Sequence, residues 1–122
     1  MAANDAEVVM KPFADGLAGA KAQLQEATLW LMQNGFANPE NAIAGSTDYL
    51  RLFGLTGLAY MWALIAKAAN AKVAAGDADP FYANKLVTGR YFLQRVLPDA
   101  GAALAKVKAG AETVMALPAE AF

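Results

Sequence analysis

Between Arg51 and Lys67 the chain runs for 15 residues, LFGLTGLAYMWALIA, without a charge. A helix carrying this run has no strong hydrophilic stripe to offer water, so other protein must cover it on nearly every side. A lipid bilayer is the alternative cover, but crossing the hydrocarbon takes ~20 apolar residues. The run falls short, and two glycines, a threonine and a tyrosine dilute it. It reads as a core helix with no membrane span.

The remaining sequence supports the same reading. A length of 122 residues corresponds to one domain. Area scaling for a chain of this length gives ~6,300 Å² folded against ~18,600 Å² unfolded, enough burial for a core without staples. Hydrophobic residues make up 57% and charged residues 17%, which leaves a thinly charged surface. Much of the excess is alanine, the best intrinsic helix former. The net charge of −1, with Lys and Arg scattered, argues against nucleic acid, which needs a basic face. The chain has no cysteine; folding without disulfides fits a cytoplasmic setting. The start, MAANDAEVVMKPF, lacks the basic and apolar blocks of a secretory signal.

Four helices are predicted, over 5–34, 47–75, 80–96 and 98–116. Asn4 and Glu7 form a capping box for the first. Its inner face is drawn by Val9, Phe13, Leu17, Ala20, Leu24, Ala27 and Leu31, spaced by three and four. Pro12 implies a kink or a late start. A left-handed Gly35 is expected to fold Phe36 back onto Leu31. Residues 37–46 read as the longest connection, with Ser46 or Thr47 capping helix two. Two faces of that helix are apolar and both are expected to be buried: Leu50, Phe53, Gly57, Met61, Leu64 and Ala68 on one, Leu55, Leu58, Trp62, Ile65 and Ala69 on the other. Gly76 closes it. Asp79 and Pro80 open helix three, whose inner face is Tyr82, Leu86, Gly89, Leu93 and Leu97. A sharp bend is expected at Pro98, followed by a last stripe of Ala100, Leu104, Val107, Ala111 and Met115. The fold class is all-α, an antiparallel up-and-down four-helix bundle.

No catalytic, cofactor-binding or metal-binding constellation emerges. Histidine and cysteine are both absent, which removes the commonest general base and two common metal ligands. Ser46, the only serine, has no imidazole to activate it and reads as a helix cap. The pairs Asp5 with Glu7 and Asp77 with Asp79 sit at helix starts, where carboxylates favour the dipole. Gly54 and Gly57 lack the strand context of a phosphate loop and read as a site of close helix packing. Tyr60, Trp62, Tyr91 and Phe92 read as core, and Arg90 and Arg95 as solvated surface.

Segment DYLRLFGLTGLAYMWALIAKAA, from Asp48 to Ala69, and segment FYANKLVTGRYFLQRVLPDAGAALAKVKAGAETVMAL, from Phe81 to Leu117, resemble the C-terminal helical extension of a subgroup of acyl-CoA dehydrogenases. AYMW at Ala59 to Trp62, YFLQRVLP and AGAETVMALP carry the likeness. The subgroup is similar to enzymes acting on 3-methylmercaptopropionyl-CoA and related long-chain members. The resemblance implies a parent that uses FAD to take two hydrogens from Cα and Cβ of an acyl-CoA thioester. Base and flavin contacts belong to the upstream core in that family, so none transfers to a residue here. The expectation is a non-catalytic domain from the end of a longer enzyme, packing against the dehydrogenase core or across a subunit interface of a homo-oligomer. A free-standing self-association module and an acyl-chain carrier bundle are the alternatives. If helix two or an edge of helices three and four normally meets a core, the isolated domain is expected to expose an apolar patch of several hundred Å².

Overall fold

The computed structural model describes the backbone over residues 2–122 and the side chains from Ala6 onward. The Asn4 and Asp5 side chains, and with them the Asn4 cap, lie outside the described residues. Helices α1 (Ala2–Gly35), α2 (Pro39–Ala74), α3 (Pro80–Tyr91) and α4 (Asp99–Ala109) make the body. A π-helical turn over Phe92–Val96 follows α3, and a single turn, α5 (Glu112–Met115), follows α4. The described residues are all-α with antiparallel packing and contain no strand.

The side chains that meet define how the helices run. Passing from Gly89 through Leu93 and Leu97 to Gly101 and Gly110, the chain meets Phe13, Gly16, Gln23 and Trp30 in ascending order on α1. On α2 the order is reversed: Trp62 lies by Gly89, Gly45 by Val107 and Asn41 by Gly110. Helices α3 and α4 therefore succeed each other as one rod, parallel to α1 and antiparallel to α2. The sharp bend expected at Pro98 does not occur. Leu97 (φ −60°, ψ −32°) and Pro98 (φ −57°, ψ −21°) both stay in the right-handed helical region. The Leu97 amide donates to the Phe92 carbonyl, five residues back, at 2.9 Å. This wider turn absorbs the disturbance near proline without ending the rod.

Helix α2 begins at Pro39 and not at 47. Asn38 caps it, its side-chain oxygen accepting from the Glu40 amide at 3.2 Å, with proline in the first turn. An Asn-Pro-Glu start outweighs the local cost of Gly45 and Ser46, and Gly45 packs toward the Val107 backbone. Ser46 is thus an interior helical residue whose hydroxyl donates to the Ile43 carbonyl at 2.9 Å. The connection from α1 shrinks to three residues, Phe36 to Asn38. Gly35 does not adopt the left-handed conformation; Phe36 is consequently 87% exposed and does not fold back. The expected Gly76 closure is present: at φ +87° its amide reaches Val73 and that of Asp77 reaches Lys72, the Schellman pattern. Pro12 sits within α1 without ending it.

Helix α4 stops at Ala109, short of the 116 expected, because Gly110 turns to φ +71°. The Asn41 side chain holds the break: its oxygen accepts the Ala111 amide at 2.9 Å and its nitrogen donates to the Asn34 carbonyl at 3.2 Å. One amide group thereby ties the ends of α1 and α4 to the start of α2.

Two buried clusters fill the interior. Ala20, Ala27, Leu52, Leu55, Ala59, Phe92, Leu97, Ala100, Ala103 and Val107 form the larger. Phe13, Ala66, Ala69 and Leu86 form the smaller. Alanine on α1 and α2 keeps the helices close, and few large side chains are needed to close the gaps.

Candidate interaction surface

One of the two apolar faces predicted for α2 is not covered. Leu52, Leu55, Ala59, Ala66 and Ala69 point inward. Leu50, Phe53, Met61 and Leu64 are exposed at 72%, 55%, 50% and 46%, which corrects the expectation that both faces are buried. Leu58 and Ile65, assigned to the second face, are also exposed. Gly54 and Gly57 lie along this stripe, and a Cβ at either would meet nothing within 4 Å. The close packing inferred for them does not occur within this fold. A 3.6-residue period buries one side of a helix, and α1 with the α3–α4 rod already occupies that side.

The stripe continues sideways onto α1. Tyr49 meets Phe53 edge-on, with ring centres 6.2 Å apart. The Tyr49 hydroxyl lies 2.7 Å from that of Thr28. Beside this pair, an open apolar cleft of about 350 Å³ is bounded by Leu31, Met32, Phe36 and Ala42. The accessible surface is 8024 Å², against ~6,300 Å² for a compact monomer of this size.

The residues weighed for chemistry are dispersed. Asp77 accepts the Asp79 amide at 2.9 Å, and Asp79 accepts that of Phe81 at 3.0 Å, as helix-start carboxylates do. Trp62 stacks on buried Phe92 at 6.3 Å between ring centres. Tyr60 and Tyr91 are exposed and do not join the core. Arg90 and Arg95 are exposed. Three ion pairs form among the described residues, Lys11–Asp15, Arg51–Asp99 and Lys108–Glu26, all at the surface. The Asp15 carboxylate, hydrogen-bonded to Lys11, raises the pKa of that amine above its ordinary value. No group of three or more Asp, Glu, His or Cys side chains suited to a metal converges among the described residues.

Helix α2 is also long and apolar enough, by length and composition, to cross a membrane. The 15-residue limit drawn from the sequence does not apply to the whole helix, since its apolar character continues past the flanking charges. A third of the most apolar window is buried against the other helices.

What the fold and this surface define is a helical domain whose most prominent feature is an apolar face. The family model for acetyl-CoA dehydrogenase C-terminal-like domains matches residues 1–118. The chain belongs to that acyl-CoA dehydrogenase C-terminal-like family. No match was found among curated proteins or solved structures.

Proposed function

We propose that the chain acts as the non-catalytic C-terminal domain of an FAD-dependent acyl-CoA dehydrogenase, packing against the dehydrogenase core or across a subunit interface. The observation that carries this reading is a family match over nearly the whole chain, joined to the uncovered apolar face of α2. In this reading the core supplies FAD, the carboxylate base and the acyl-CoA site, and performs the α,β-dehydrogenation. The ordered segments quoted above point to the subgroup similar to 3-methylmercaptopropionyl-CoA and long-chain enzymes. A cytoplasmic setting accords with a fold free of cysteine.

The test takes the purified chain, measures flavin absorbance and acyl-CoA oxidation, and then titrates it with the flavoprotein core of an acyl-CoA dehydrogenase from the same genome. The expected result is no flavin, no turnover and saturable association with the core. Turnover by the chain alone, or no association at any accessible concentration, would overturn the proposal.

A further inference from the structure

The exposed stripe of α2 is symmetric about one residue. Gly57 lies at its centre, facing open space. Leu50 and Leu64 stand seven residues to either side, Phe53 and Met61 four, and Gly54 and Tyr60 three. These offsets recur on one face of a helix. A two-fold axis perpendicular to α2 at Gly57 therefore sets Leu50 against the second copy's Leu64, and Phe53 against its Met61. Tyr60 of each copy then faces the small Gly54 of the other. A surface that is its own complement in this way is what an isologous dimer requires, and glycine at the crossing point lets the two helix backbones approach.

Area and charge agree with this arrangement. Seven large exposed side chains, from Leu50 to Ile65, together offer roughly 700 Å² at ~200 Å² each when fully open and about half exposed. That approaches the ~800 Å² per partner of a stable interface and exceeds the ~300–600 Å² patch common on monomers. The same axis places Lys67 opposite Thr47, and Arg51 is drawn aside by Asp99 at 2.7 Å, so like charges do not meet.

The geometry points to a second copy of this chain as the occupant of the α2 face, bound antiparallel with Gly57 on the two-fold axis. The inference deepens the packing reading above and rests on it by making this face the subunit contact. The dehydrogenase core is left to other surfaces.

Sedimentation of the whole chain across a concentration series is the test. The native chain is expected to form a dimer. Gly57→Leu is expected to weaken it by at least about tenfold, and Met61→Glu likewise. Val87→Glu, at an exposed site on α3, is expected to leave it unchanged. Gly57 has open space around it, so the leucine variant keeps its monomer fold, which circular dichroism verifies. Because the chain is free of cysteine, Gly57→Cys adds a second readout: mild oxidation is expected to give a disulfide-linked dimer, and Val87→Cys is not. A monomer at the highest soluble concentration would overturn the proposal, as would a dimer indifferent to Gly57→Leu. So would flotation with phosphatidylcholine vesicles that Met61→Glu abolishes while the dimer persists. Flavin and core-binding measurements read the family role separately, so either can fail while the other stands.

Discussion

Replacing glycine by alanine at two helical positions of this chain is expected to change stability in opposite directions. At Gly19 in α1 a Cβ meets nothing within 4 Å. Alanine there gains helix propensity and loses nothing, raising stability by about 0.5–1 kcal/mol. At Gly89 in α3 the same methyl lands 2.6 Å from Phe13 Cε1, 2.8 Å from its Cζ and 3.1 Å from Trp62 Cε3. Carbon atoms pack at ~3.5–4.0 Å, so the rings must retreat by nearly 1 Å. Phe13 is fully buried among Ala66, Ala69 and Leu86, and Trp62 is stacked on Phe92, so neither ring has room. Overpacking of this kind costs ~1–3 kcal/mol, which exceeds the propensity gain. The net loss is ~1–2 kcal/mol. Thermal unfolding at low concentration reads both: a rise of ~2–4 °C for Gly19→Ala and a fall of ~4–8 °C for Gly89→Ala. Equal stabilisation by the two substitutions would refute the reasoning, since it would mean that α3 does not approach α1 and α2 closely at Gly89.

Other expectations concern the ends, the core and the surface. Asn41→Ala removes the acceptor of the Ala111 amide and the donor to Asn34. A loss of ~1–3 kcal/mol follows, with faster amide exchange and proteolysis after Gly110 as the signature. Leu52→Ala, at a position with no exposure, is expected to cost ~2–5 kcal/mol in urea denaturation. Arg51→Ala breaks a pair whose side chains are 59% and 53% exposed. It is expected to cost under about 1 kcal/mol, and a larger loss would mean that the pair anchors α4.

The sequence made the inner faces legible where a single period was present. Phe13, Ala20 and Ala27 on α1 and Leu86, Gly89 and Leu97 on the third rod are buried as spaced. Their neighbours are polar enough for the burial direction to be unambiguous. Boundaries were less legible where two signals competed. Asn38–Pro39–Glu40 and the later Gly45–Ser46–Thr47 are both credible starts; the Asn38 cap on the Glu40 amide shows that the first prevails, and Gly45 packs against Val107 inside the helix. Gly110 could not be told from an interior glycine because its positive-φ conformation is held by Asn41, which accepts the amide of Ala111, 70 residues away along the chain.

The candidate surface was half legible. An apolar patch was expected on helix two or an edge of helices three and four, but not which stripe would carry it, since Leu50, Phe53, Met61 and Leu64 have the same hydrophobicity as residues that are buried.

The sequence alone determined an all-α chain, its apolar stripes, its lack of histidine and cysteine, and its likeness to a dehydrogenase extension. These follow from residue type and local spacing, which act within a few turns of helix. Only the tertiary structure decided which stripe of α2 meets the core and which meets solvent, and that α3 and α4 form one rod. A helix with two apolar faces can bury either, and the choice depends on how many neighbours the rest of the chain supplies. Here α1 and one composite rod cover one side of α2, leaving Gly57 at the centre of the other.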